Sequence, residues 1–200
     1  TMGLRGIPEA EVAFNDMELP PSALIVPPRG LKKGFADLMT AYNSQRVGAG
    51  TVALGIMEGA YELALDWTEK REQFGRPINE FQGVQWRLAD MSIRIAAAQA
   101  LIYKAAESGK GGFPDKIMAA QAKIYTSENA IQVVNEALQL FGARGYSRNL
   151  PLERMARDVR MFTIGGGTAE VLRNVVASGL LGKKLPQTRD GYLPKSQAAE

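Results

Sequence analysis

The sequence predicts a mainly α protein: an up-down bundle of four or five helices, preceded by the last strands of a β domain. Three observations carry that prediction. After Gly34, apolar residues recur at alternating steps of three and four over several long stretches, the seam of helices packed in a bundle. Glycine and proline clusters interrupt those stretches where helices must end. Before about residue 30 the period falls to two, the signature of a half-buried strand.

The elements follow in order. Ala10, Val12 and Phe14 fall on one side of an extended segment, and Asn15-Asp16 gives a turn. Leu19-Pro20-Pro21 and Val26-Pro27-Pro28 stop regular structure. Residues 1–29 thus read as the end of a β-rich unit and its connector. Two strands do not stand alone, and Thr1-Met2-Gly3 is not a natural translation start, so upstream sequence is expected. Residues 30–184 form the bundle. A first helix runs from about Gly34 to Lys70, with Val47, Leu54, Met57, Tyr61 and Leu65 near one stripe. A second starts near Phe81 and carries Val84, Leu88, Met91, Ile95, Ala98 and Ile102. Ser108 to Pro114 is a break. A third shows Ile117, Ala120, Ile124, Ile131, Val134, Leu138 and Phe141, ended by Gly142 and Gly145. A short helix covers Leu152 to Arg160, and a last one begins after Thr168. Residues 185–200 have no period and read as an extended or mobile tail.

Composition narrows the chemistry. The chain has no cysteine, which excludes disulfides and thiolate catalysis, and no histidine. Proton transfer must therefore use Glu, Asp, Lys, Tyr, water or the substrate, and no metal site is expected. A net charge of +3 suits an anionic small ligand and is too small to argue for nucleic acid. No apolar run approaches the ~20 residues that span a bilayer, and no signal peptide opens the chain, so a cytoplasmic protein is expected.

Three stretches can carry chemistry. In Gly165-Gly166-Gly167-Thr168 a glycine-rich turn meets a helix start. Backbone N–H groups there can approach an anion, and the helix dipole favours negative charge. Lys70-Arg71-Glu72-Gln73-Phe74-Gly75-Arg76-Pro77 joins two helices and puts cations beside an aromatic ring, a mix that can hold a phosphate and stack a planar ring. Gln139 to Tyr146, followed by Pro151-Leu152-Glu153-Arg154 and Arg157-Asp158, offers small residues for close backbone approach. Taken singly, these also read as a capped turn, a helix connector and a structural ion pair.

Their order and spacing, with Gly3-Leu4-Arg5-Gly6, Phe81-Gln82, Ala89-Asp90-Met91 and Gly167-Thr168-Ala169-Glu170, resemble the C-terminal part of the acyl-CoA dehydrogenase family of flavoproteins. The resemblance implies an N-terminal helical domain, a middle β domain and a C-terminal helical bundle, of which this chain would be the end of the second and all of the third. It implies FAD as cofactor, an acyl-CoA thioester as substrate, and self-association, as a homotetramer with the FAD site shared between subunits. By the same resemblance, Arg71, Phe74 and Gln82 contact the FAD of a neighbouring subunit, and Gln139 and Ala143 touch its adenosine end. Thr168 and Glu170 lie beside the flavin phosphates. Tyr42, Asn43 and Arg46 line the acyl-CoA channel.

The sequence departs from the family pattern at the catalytic base. Most members carry a glutamate two residues before the Thr168 position, where this chain has Gly166; others carry it just before the Arg46 position, where this chain has Gln45. A positioned base contributes roughly 10²–10⁴-fold, and an amide has no useful basicity. The resemblance therefore points to the desulfinase branch, which cleaves the β-carbon–sulfur bond of 3-sulfinopropionyl-CoA, with Gln45 and Arg46 orienting the substrate. A dehydrogenase with its base elsewhere, and a catalytically silent partner subunit of a flavin-sharing oligomer, are the alternatives.

Overall fold

The computed structural model describes residues 1–183 and 185. Its helices are α1 (Gly34–Lys70), α2 (Gln82–Glu107), α3 (Lys116–Phe141), α4 (Leu152–Val159) and α5 (Ala169–Leu180). The mainly α bundle expected from the periodicity is present. The expected tail lies outside the described residues, apart from Leu185.

Local chemistry explains where the helices start and stop. Asp115 Oδ1 accepts from Ile117 N and Met118 N, both at 2.9 Å, and so caps α3. Gly142, at φ 58°, ends it in a left-handed conformation. Thr168 Oγ1 caps α5 by accepting from Val171 N at 3.2 Å.

The cross-contacts give the topology. Asn43 bonds Pro114 O, Gly50 lies against Lys123, and Trp67 Nε1 donates to Leu140 O. Hence α1 and α3 run parallel in direct contact. Arg94 pairs with Asn129 and Arg87 with Glu136, so α2 runs antiparallel to both. Alanines make the approach of α1 to α3 possible: Ala53, Ala60 and Ala64 with Ala130 and Ala137 are all fully buried. Met57, Met91, Val133 and Val134 fill the space around them. At Gly50 an added Cβ would sit 2.5 Å from Ile102 Cδ1, so three helices converge there without room for a side chain.

Helix α3 is the centre of the bundle, with α1, α2, α4 and α5 against it. Its periodic seam marked one side only. Ala119, Ala122, Lys123, Thr126 and Ser127 are buried as well, because neighbours cover several of its faces. On α1 the buried stripe runs through Ala60, Ala64 and Thr68 rather than Leu65, which is exposed.

Residues 10–14 carry no hydrogen-bonded ladder, contrary to the expected strand. The physical reason is the absence of a partner strand among the described residues; Val12 and Phe14 stand exposed. The pairing that does form was read as a plain turn. β1 (Glu72–Gln73) pairs antiparallel with β2 (Arg76–Pro77) in register Glu72↔Pro77. Its two-residue loop, Phe74-Gly75, has φ of 54° and 77°, the left-handed pair that matches the twist of a tight hairpin.

Arg157 and Asp158 do not form the anticipated ion pair with each other. Arg157 pairs with Glu153 at 2.9 Å and donates to Met2 O at 2.6 Å, while Asp158 Oδ1 accepts from Leu4 N at 2.7 Å. They clamp the start of the chain onto α4. A Cβ on Gly3 would lie 2.4 Å from Arg157 O, so this backbone contact requires glycine.

Candidate cofactor and substrate site

The three glycines meet three different demands. A Cβ on Gly165 would lie 2.8 Å from Met161 Sδ. Gly166 and Gly167 have φ of 72° and 96°, costly for side-chain-bearing residues. A Cβ on Gly166 would nevertheless meet nothing within 4 Å, so the space beside it is open. Gly165 N donates to Met161 O at 2.8 Å; among the described residues no such bond is made by the N–H groups of Gly166 and Gly167. These two donors, at the start of α5, suit a carbonyl or phosphate oxygen. Three residues after Gly167, Glu170 is held below the usual carboxylate range by its own backbone N–H and by the Thr168 hydroxyl, with Arg173 and Arg160 adding to the effect.

Directly beneath the turn lies Lys123, fully buried. Its Nζ donates to Gly167 O at 2.6 Å. Burial and the nearby Arg46 guanidinium push the amine down to about 8, against smaller opposing effects from Glu170 and Glu128. Arg46 is held by α1: it donates to Asn43 Oδ1 at 2.6 Å, and its Cζ lies 5.9 Å from the centre of the Tyr42 ring. Its own pKa is lowered by desolvation, and its Nε is buried without a partner.

The structure therefore assembles one cluster from three helices: Tyr42, Asn43 and Arg46 on α1, Lys123 on α3, and the glycine turn with Thr168 before α5. Gln45 lies on the same turn of α1, exposed. Asn43 is buried, with Nδ2 donating to Pro114 O at 3.1 Å and Oδ1 occupied by Arg46. Both ends of its amide are engaged inside the chain, so it orients Arg46 rather than facing open space.

Arg71, Phe74, Gln82, Gln139 and Ala143 gather at the opposite end of α1 and α3. Phe74 projects from the hairpin 93% exposed, with the Phe81 ring edge-on at 6.2 Å and Arg76 stacked 4.1 Å above Phe81. Trp67 stacks on Phe141 at 4.8 Å and Arg144 covers it at 5.4 Å, which fixes the end of α3 beside the end of α1. Gln82, Gln139 and Ala143 are exposed there. Gln45 on α1 and Arg71, which directly follows that helix, are 26 residues apart, roughly 39 Å at 1.5 Å per residue. The predicted residues thus form two clusters, not one.

Lys123 was not among the residues singled out from the sequence. A signal was available: it stands at a core-facing period of α3, four residues after Ala119 and four before Ser127.

The model of the acyl-CoA dehydrogenase C-terminal domain matches residues 32–181. The 3-sulfinopropanoyl-CoA desulfinase of Cupriavidus necator is 58% identical over 194 residues, covering 97% of this chain and 49% of its own. The short-chain-specific acyl-CoA dehydrogenase of Clostridium acetobutylicum is 39% identical, covering 88% and 46%. The solved butyryl-CoA dehydrogenase of Megasphaera elsdenii superposes with a TM-score of 0.73 at 41% identity, covering 74% of this chain and 39% of that one. The chain belongs to the acyl-CoA dehydrogenase family, as its helical C-terminal domain. It spans about half the length of the curated relatives it matches.

Proposed function

We propose that this chain contributes the helical domain of an FAD-dependent enzyme that cleaves the carbon–sulfur bond of 3-sulfinopropionyl-CoA. Water and the sulfinate thioester give propionyl-CoA and hydrogen sulfite: the C–S bond breaks, water's oxygen goes to sulfur, and a proton goes to the β-carbon. The carbon is reduced by as much as the sulfur is oxidised, so the flavin ends as it began.

The observation that carries the reading is the open, carboxylate-free space at Gly166, with an amide at Gln45. Neither can take a proton from the substrate's α-carbon. Four relatives named as this desulfinase, 57–60% identical, add weight. In this reading the exposed Gln45 amide hydrogen-bonds the substrate. Arg46, braced by Asn43 and Tyr42, adds positive charge for its acidic end in a partly desolvated setting where charge acts strongly. The free N–H groups of Gly166 and Gly167 hold an oxygen of the bound thioester or cofactor.

The residues fit FAD. The turn before α5 supplies unpartnered N–H donors, and Phe74 offers a bare aromatic face beside cations. When bound, FAD would supply a ring able to take and return an electron pair. The separation of the two clusters by roughly 39 Å along α1 supports two half-sites per chain, each completed by another subunit; we read the assembly as a homotetramer sharing its flavin sites.

The test uses the purified full-length holoprotein under anaerobic conditions. Sulfite release from 3-sulfinopropionyl-CoA with the flavin left oxidised is expected. Bleaching of the flavin by unsubstituted short acyl-CoAs without sulfite release would overturn it in favour of dehydrogenation. Activity that emerges only on adding a homologous chain would overturn it in favour of a silent subunit.

A further inference from the structure

A fully buried lysine with one recorded hydrogen bond, set beside an arginine, is an expensive arrangement. Burial disfavours its charge, and the neighbouring guanidinium disfavours it further. Methionine would fill the same volume without either cost. What the lysine contributes that methionine cannot is the 2.6 Å bond to Gly167 O. Gly167 is the residue with φ 96°, between the bare Gly166 and the capping Thr168. Its backbone has no side chain to lock it, and its N–H makes no intrachain bond. The carbonyl held by Lys123 is therefore the polar anchor from the bundle to this part of the turn.

We propose that Lys123 is a positioning residue: through Gly167 O it fixes the backbone of Gly166 to Thr168 in the form that meets the ligands. The three groups that surround its charge come from three elements. Arg46 on α1 opposes it, while Glu128 on α3 and Glu170 on α5 support it. The neutral amine can still donate, so loss of the proton weakens the bond without breaking it. That the turn faces ligands rests on the reading above; that Lys123 holds it does not.

The test is amide hydrogen exchange on the full-length holoprotein and two variants. Lys123→Met removes the donor, and Lys123→Gln keeps a neutral one. In Lys123→Met, amides of residues 164–169 should exchange at least about tenfold faster, with those of α1 and the rest of α3 unchanged and the melting temperature not lowered. Lys123→Gln should fall between the two. After correction for intrinsic base catalysis, wild-type exchange in the turn should rise above pH 8, and the Lys123→Met profile should stay flat. Equal protection of the turn in wild type and Lys123→Met would overturn the proposal. So would a uniform loss of protection along α3 with a lowered melting temperature, which marks a merely structural residue. If Lys123→Met does not fold, the same readings on Lys123→Gln decide. Sulfite release is measured separately: a loosened turn with no sulfite from wild type sinks the reaction and leaves the positioning role standing.

Discussion

At the scale of single residues, Gly166 is the position on which the proposed chemistry turns. The space beside it admits a side chain while its backbone disfavours one. Gly166→Glu should therefore fold, at a cost of about 1–2 kcal/mol for a left-handed residue. It should also introduce acyl-CoA-dependent flavin reduction, followed by anaerobic bleaching. A folded holoprotein with no such gain would place the family's base elsewhere than at Gly166. Lys123 makes a prediction about pH. Its folded pKa is about 8 against the ordinary 10.5. Between those values the unfolded chain binds more protons, so this group makes stability rise with pH across that window. Below about pH 8 its full cost is present. Denaturation at pH 7 to 10.5 should show Lys123→Met gaining most over wild type at the low end, with the gain shrinking toward the high end, because wild type sheds a cost that the variant never carries.

At the scale of elements, the helices are held by shape more than by charge. Surface ion pairs such as Arg173 with Glu128, at 2.7 Å but about half exposed, contribute little. The close approach of α1 to α2 and α3 depends on small residues. Gly50→Leu would drive atoms into Ile102 and the backbone of Lys123. It should destabilise by about 1–3 kcal/mol, as overpacked cores do, read as a lowered melting temperature. Combining it with Ile102→Ala should recover part of the loss, since the two side chains compete for one volume. The clamp on the start of the chain is a second element-scale device. Asp158→Ala removes the acceptor for Leu4 N. Residues 1–29 should then be cut faster by protease while the bundle keeps its protection.

At the scale of the whole molecule, the site residues read from the sequence lie in two clusters at opposite ends of α1, each of which the proposed assembly would complete with another subunit. The Phe74 ring, 93% exposed at a hairpin tip, meets Phe81 edge-on and buries little within its own chain. Phe74→Ala should leave the bundle's stability within about 0.5 kcal/mol, as surface changes do, yet lower flavin content and shift the full-length protein toward smaller oligomers on sedimentation. Unchanged flavin and size would remove Phe74 from the shared site.

The helices were legible because periodicity and caps are local. Gly34 and Lys70 bound α1 as read, Asp115 and Gly142 bracket α3, and Thr168 caps α5. Much of the candidate site was legible too, since Gly166, Thr168, Gln45 and Arg46 stand in motifs. The strand expected at 10–14 has no ladder among the described residues, because a period of two does not supply the partners that a ladder needs. The inward role of Asn43, the hairpin under Phe74 and the place of Lys123 were settled only by tertiary structure. Each depends on which faces meet: α3 is covered from several sides, and a lysine there is enclosed by α1 and the turn before α5. The sequence alone determined the helices and put glycine at 166 and an amide at Gln45, which are properties of residues read locally. Folding decided which polar groups would lose water, and desolvation depends on everything packed around a group, however distant in the chain.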